Sequence, residues 1–352
     1  MAKLNVLIAG STGYIGIELV KILYKHKNVL IKYLCGNTSV GKRISFYDKS
    51  LKSKKLPKIV KFDKSYLENV DIIFTALPNG EAQDISKNLL PKNVLIDIAA
   101  DFRLNSSKSY SKWYKQKHRA SNNIKKSIYS LPEFTGKIIK NFNIISCPGC
   151  YPTSILLPLI PLIKKNMIKL ENIIADSKSG YSGAGRDVHK VYAKKNLYES
   201  LKAYGVGFHR HNSEIEQEMK IYTKKKKLNI TFTPHLSPMF KGILSTIYFE
   251  TRNGVSLKKL NNLLKSTFAK KQFVKIKKIN SYISTNDVIN TNECHMSVCK
   301  TKYKNKYIIL SAIDNLIKGG SGQAVQNMNI KFNLPESRGL IWKKLTYFYF
   351  YL

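Results

Sequence analysis

Residues 4–20 read LNVLIAGSTGYIGIELV. A short continuous apolar run bounded by glycine reads as a buried strand, and the apolar spacing of 14–26 that follows reads as a helix. Glycines 10, 13 and 16 stand between the two. Backbone N–H groups at the start of a helix can cradle a pyrophosphate, so this turn is a candidate dinucleotide site. The spacing is G-x-x-G-x-x-G rather than G-x-G-x-x-G, and the strand before and helix after are what support the reading.

The alternation continues outward. Apolar runs at 29–35, 71–77, 93–99 and 142–146 are further strand candidates, with helical patterning between them, notably at 80–90. This is the pattern of a parallel sheet covered on both faces, an α/β arrangement. Beyond residue 150 longer runs at 171–179, 229–236, 242–250, 295–303 and 306–313 read as strands in antiparallel style, with helices at 212–222 and 256–270. The second part is therefore α+β. The expected domains are 1–149 and 150–319, with a last helix and tail at 320–352 returning to the first. The aromatic end YFYFYL is expected to be a packed terminal strand or an interface patch.

Lys and Arg total 60 against 22 acidic residues, a net charge of +38, which raises the possibility of a nucleic-acid partner. Only seven of the 60 are arginine, the lysines are dispersed, and no aromatic-basic RNA or DNA module is recognisable. The excess therefore reads as solvated surface. The apolar run at 155–163 is too short to span a bilayer and carries prolines. Five cysteines in 352 residues are too few for a disulfide scaffold, so a cytoplasmic protein with no membrane partner is expected. After the second strand the stretch 34–43, LCGNTSVGKR, lacks the acid that would bind a free ribose 2′-OH. Asn37, Ser39, Lys42 and Arg43 suit a 2′-phosphate, which favours NADP over NAD.

SCPGCYPTS at 146–154 carries a C-x-x-C pair. Zinc would need two more ligands, and Cys294, His295 and Cys299 lie on a strand whose alternation suits chelation poorly, so no metal is expected. Cys150 falls at the start of an apolar helix, where the end-field favours the nucleophilic thiolate; Cys147 falls at a strand end. A single nucleophile is the leading reading, with an exchange pair and buried inert thiols as the others. A thiolate doing acyl chemistry wants an acid or base nearby, and His209 and His211 precede a helix announced by Ser213 and Glu216 at capping-box spacing. Arg103 in DFR and Arg186 at the end of SGYSGAGR are candidates for holding anions.

In that order GSTGYIGIEL, ALPNG, DFRL, PGCYPT, SGYSGAGR, HRHNSEI and AIDNLIKGGSGQAVQNMN make the chain resemble, nearly end to end, the N-acetyl-gamma-glutamyl-phosphate reductases, relatives of aspartate-semialdehyde dehydrogenase. The resemblance implies a Rossmann-like NADP-binding domain and a mixed or antiparallel-sheet catalytic and oligomerisation domain, in a homotetramer or homodimer. It implies Cys150 as acyl-accepting nucleophile and His209 as acid/base, with Arg103, Ser182, Arg186 and His211 around the substrate. Gly10, Ser11, Thr12, Gly13, Tyr14, Ile15, Gly16, Asn37, Ser39 and Pro78 would hold NADPH or NADP, and Asn315 and Lys318 would close over its nicotinamide side. The implied reaction consumes an acyl phosphate and releases inorganic phosphate; aspartate-semialdehyde dehydrogenase is the alternative. Cys147, Ser213 and Asn79 depart from the usual pattern.

Overall fold

The computed structural model describes residues 3–52, 54–186, 199–223 and 227–341, and the aromatic end of the chain lies outside them. Strands β1 (Leu4–Ala9), β2 (Val29–Cys35), β3 (Ile59–Val60), β4 (Ile72–Thr75), β5 (Val94–Asp97), β6 (Ser127–Tyr129) and β7 (Ile144–Ser146) form one sheet. Its order is β3-β2-β1-β4-β5-β7-β6, and every neighbouring pair is parallel. Val6, Leu7 and Ile8 in the middle are fully buried, as expected of a strand covered on both faces. Helix α1 (Tyr14–Tyr24) starts directly after the glycine turn and packs Ile17, Leu19, Val20, Ile22 and Leu23 inward. A shorter helix, α2 (Glu81–Ser86), ends earlier than its apolar pattern suggests.

The second sheet comprises β8 (Ile173–Gly180), β9 (Lys202–Ala203), β10 (Ile230–Ser237), β11 (Ile243–Glu250), β12 (Val274–Ile276), β13 (Cys294–Lys300) and β14 (Lys306–Ile313). The order is β12-β13-β14-β11-β8-β10-β9. It is mixed rather than antiparallel throughout: β10 runs parallel to β8 and β12 parallel to β13. The edge strands β3, β6, β9 and β12 were not legible in the sequence, because two or three residues carry too little alternation to register.

Helix α3 (Cys150–Lys164) fills the space against the second sheet, with every side chain from Tyr151 to Ile163 buried. Pro158 and Pro161 lie inside it without ending it. A proline in a helix interior costs about 3 kcal/mol. Each fully buried Leu or Ile contributes roughly 1.5–3 kcal/mol, and this helix buries Ile155, Leu156, Leu157, Leu159, Ile160, Leu162 and Ile163. Helices α4 (His211–Lys220) and α5 (Leu257–Phe268) complete that core through Ile215, Met219, Leu260, Leu264 and Phe268. Ser256 caps α5 by accepting from the Lys259 N–H at 3.3 Å.

The last described helix, α6 (Gly322–Lys331), crosses back: Ala324, Val325 and Met328 join the core of β1 and α1. The chain therefore passes from the first sheet to the second at Cys150 and returns at the turn 317–321. Both crossings fall in the same seam.

Candidate active site

Cys150 is the first residue of α3, behind the cap residue Gly149. Cys147 lies just past the end of β7, wholly buried, with the Asn327 side-chain nitrogen 3.6 Å from its sulfur. All five cysteines are free, and no cluster of metal-binding side chains exists among the described residues. Burial pushes the Cys147 thiol up to about 12. Burial also pushes Cys150 up to about 11, against the pull of the Arg103 charge and the Tyr151 backbone N–H. Desolvation outweighs these pulls, so the thiol is protonated at neutral pH.

His211 sits over this turn: a Cβ added to Gly149 would lie 2.5 Å from the His211 Nε2. His209 packs its ring against His211 at 4.7 Å and against Tyr151 at 5.9 Å. Burial lowers His209 to about 4 and holds His211 well below its ordinary value, so both imidazoles are neutral at neutral pH. The His209 Nδ1 accepts the His211 backbone N–H at 3.1 Å, which leaves the ring proton on Nε2. The His211 Nδ1 is buried without a partner among the described residues.

The capping box read at Ser213 and Glu216 does not form. The helix starts at His211, and Ser213 lies inside it, donating to the Arg210 carbonyl at 2.6 Å. The His209 ring instead accepts the N–H of His211, the first residue of the helix.

Glu214, fully buried, escaped the sequence reading. Its Oε2 accepts the Gly149 N–H at 2.9 Å, its Oε1 pairs with Arg103 at 3.0 Å, and the His211 Nε2 lies 3.7 Å away. The signal was present as H-x-H-x-x-E, since residues three apart on a helix share a face. The three guanidinium nitrogens of Arg103 each have a protein acceptor: Glu214, the Cys147 carbonyl and the Ile98 carbonyl. Asp101 of the same DFR motif caps α2 through the Gly80 and Ala82 N–H groups. DFR thus holds the turn in shape, with its buried arginine tied to protein acceptors through all three nitrogens.

On the other side of Cys150, the turn 317–321 is a π-turn whose Gly319 would, with a Cβ, come 2.6 Å from the Cys150 Cβ. Lys318 points away from this cleft: its ammonium is fully buried, 2.6 Å from Glu133 and 2.9 Å from Gln326. Expected to meet a cofactor, it instead ties the returning chain to the first sheet, and the turn can present only its backbone. Asn315 donates to the Ser182 hydroxyl at 3.0 Å and accepts the Gly242 N–H at 2.7 Å, joining the turn after β8 to the same seam.

The glycine turn fits a dinucleotide. Gly10 has φ +81°, and a Cβ there would strike the Ala76 carbonyl oxygen at 2.2 Å, so only glycine lets the chain turn this tightly. Gly13 meets nothing closer than 3.6 Å, and α1 has no side-chain cap, so its first N–H groups remain for a ligand. Pro78 and Asn37 are exposed at the ends of β4 and β2, whereas Ser39 is buried. Arg186 lies on this side, its guanidinium 4.8 Å from the Tyr14 ring centre, and no described contact joins it to Cys150 or the histidines.

A parallel sheet with a glycine turn, joined to a mixed sheet by a cysteine-headed helix, defines a class: the semialdehyde dehydrogenases. Residues 5–142 match the family model "Semialdehyde dehydrogenase, NAD binding domain" and residues 150–315 the model "Semialdehyde dehydrogenase, dimerisation domain". Aspartate semialdehyde dehydrogenase II of Vibrio cholerae, solved in complex with ASA, shares the fold with a TM-score of 0.72 at 18% identity, over 95% of this chain and 99% of that one. Aspartate semialdehyde dehydrogenase of Candida albicans, solved with NADP, has a TM-score of 0.66 at 16% identity, covering 94% and 98%.

Within that class the chain is 43% identical to the N-acetyl-gamma-glutamyl-phosphate reductase of Thermoanaerobacter pseudethanolicus, over 95% of this chain and 96% of the relative. A second relative of that name, from Clostridium beijerinckii, is 41% identical over 97% and 98%. The chain belongs to the N-acetyl-gamma-glutamyl-phosphate reductase family.

Proposed function

We propose that the protein reduces N-acetyl-gamma-glutamyl phosphate to N-acetylglutamate semialdehyde with release of phosphate, a step of arginine biosynthesis. The single observation that supports this most is the placement of Cys150: a cysteine at a helix start, in the seam between two sheets, with the neutral His211 ring over the preceding glycine and His209 packed on that ring. In this reading the Cys150 sulfur attacks the acyl carbon, the bond to the phosphate oxygen breaks, and a thioester forms on the protein. The thiol rests protonated, so attack requires a proton acceptor. We assign proton transfer to His209, which is less enclosed than His211, and leave His211 to the substrate. Backbone N–H groups at the start of α3 would hold the developing oxyanion. NADPH, when bound along Gly10–Gly16 with Asn37 at its adenosine end, supplies the hydride that takes the thioester to the aldehyde level. As the aldehyde forms, the carbon–sulfur bond breaks and the Cys150 sulfur leaves.

We further infer a domain division at 149/150 with α6 returning to the first unit, and a homo-oligomer. The neighbouring side chains of Ile174 on β8 and Tyr248 on β11, each 42% exposed, support an apolar contact through the second sheet. No helix among the described residues is long and apolar enough to cross a membrane, and we place the protein in the cytoplasm, where five free thiols stay reduced. The assay is NADPH formation from NADP and N-acetylglutamate semialdehyde, with and without phosphate, beside aspartate semialdehyde. Phosphate-dependent turnover of the acetylated substrate alone is expected. Turnover of aspartate semialdehyde alone would overturn the substrate assignment and leave the nucleophile standing.

A further inference from the structure

We propose that Arg186 is a ligand for a phosphate of the dinucleotide, carried on the turn after β8 and laid across the glycine turn of the first sheet. The inference rests on the cofactor reading above and reverses the expectation that Arg186 holds the substrate.

Four observations point the same way. The Arg186 guanidinium lies 4.8 Å from the Tyr14 ring centre and 5.7 Å from that of Tyr47. Tyr14 is the first residue of α1, where a pyrophosphate would sit, and Tyr47 follows shortly after the Asn37–Arg43 loop, where a 2′-phosphate would sit. Phe240 fixes this arrangement from the second sheet, meeting the Tyr14 ring at 5.3 Å and the Tyr181 ring at 5.4 Å. Finally, the Arg186 Nε is buried with no hydrogen-bond partner, and among the described residues no carboxylate pairs with the guanidinium.

A guanidinium stacked on aromatic faces is held in place while its in-plane N–H edge stays free. That edge matches two oxygens of a phosphate. Its neighbours complete the case: Lys42, read as a phosphate partner, has its ammonium 4.7 Å over the Phe46 ring. Arg103 is occupied by protein acceptors. Among the described residues, Arg186 therefore brings a geometrically placed cation with no carboxylate partner to the cofactor turn.

The test is equilibrium titration of the full chain, without substrate, with NADPH, NADH and adenosine 2′,5′-bisphosphate, for the wild type, Arg186→Gln and Arg186→Lys. Thermal midpoints check that each variant is folded. Arg186→Gln should weaken NADPH by about ten-fold or more, the scale of one charge-assisted contact, with Arg186→Lys between it and the wild type. A loss for NADPH and the bisphosphate with NADH unchanged assigns Arg186 to the 2′-phosphate; an equal loss for both dinucleotides assigns it to the pyrophosphate. An unchanged NADPH affinity in folded Arg186→Gln, with a raised KM for the acyl phosphate, would overturn the inference and return Arg186 to the substrate. A wild type that binds no NADPH would remove the cofactor reading itself.

Discussion

Cys147 and Cys150 share one turn and differ in almost everything that decides reactivity. Cys147 ends a strand of the first sheet, fully buried beneath Asn327, while the Arg103 Nε takes its carbonyl at 2.8 Å. Cys150 opens a helix of the second sheet, with histidine on one side and the Gly319 turn on the other. The pair shows that C-x-x-C spacing carries little chemical meaning until the backbone places each sulfur. Here one thiol is part of a core and the other faces the seam.

The comparison can be broken most directly by Cys150→Ser, which should lower turnover by on the order of 10³-fold or more while NADPH still binds in titration. Full activity in this variant would mean the wrong sulfur was chosen. The seam itself is tested by Lys318→Ala, which strips a fully buried partner from Glu133 and should cost about 3–5 kcal/mol in chemical denaturation. The sign of its pH dependence follows from Glu133, which Lys318 and Gln326 hold below the ordinary carboxylate value despite burial. That stabilisation is present above the ordinary value and is lost as the pH falls, so the acid limb of the wild-type stability curve should shrink in the variant.

A smaller effect, about 10²-fold on turnover, is expected for His209→Asn, the usual scale of general acid-base help. If His211→Asn is the more damaging change, proton transfer belongs to the buried ring. Alkylation by iodoacetamide sharpens the contrast between the thiols further. The Cys150 rate should keep rising from pH 8 toward about 11, since its thiol is pushed up to about 11. A plateau near the ordinary thiol value would show that the helix field wins after all. Cys147 should stay unmodified in the folded protein, and Cys147→Ser should leave turnover within about two-fold, as is usual for residues that touch no reacting atom.

Much of this was legible in sequence because the signals are local. The β1–turn–α1 unit follows from apolar periodicity broken by glycines, and Cys150 at a helix start follows from its place after β7 and before an apolar run. What escaped is long-range. Glu214 looks like any surface helix glutamate until the fold brings its carboxylate under Gly149, 65 residues away in the chain. Lys318 and Arg103 were read as ligand groups because each is a cation beside glycines or at a strand end. The fold pairs them instead with Glu133 and Glu214, and a buried cation without such a partner would be far costlier. The capping box is absent at Ser213 because the helix begins two residues earlier, at His211, and the serine lies inside it.

By itself the sequence determined the two kinds of sheet, the glycine turn and the place of Cys150 at a helix start, because periodicity, turn chemistry and helix starts are properties of adjacent residues. Tertiary structure alone decided which charges are committed to each other, placing Arg186 over Tyr14 while Arg103 and Lys318 are sealed inside with Glu214 and Glu133. The reason is physical: a charge's role depends on what desolvates it and what it pairs with, and both are set by residues far away in the chain.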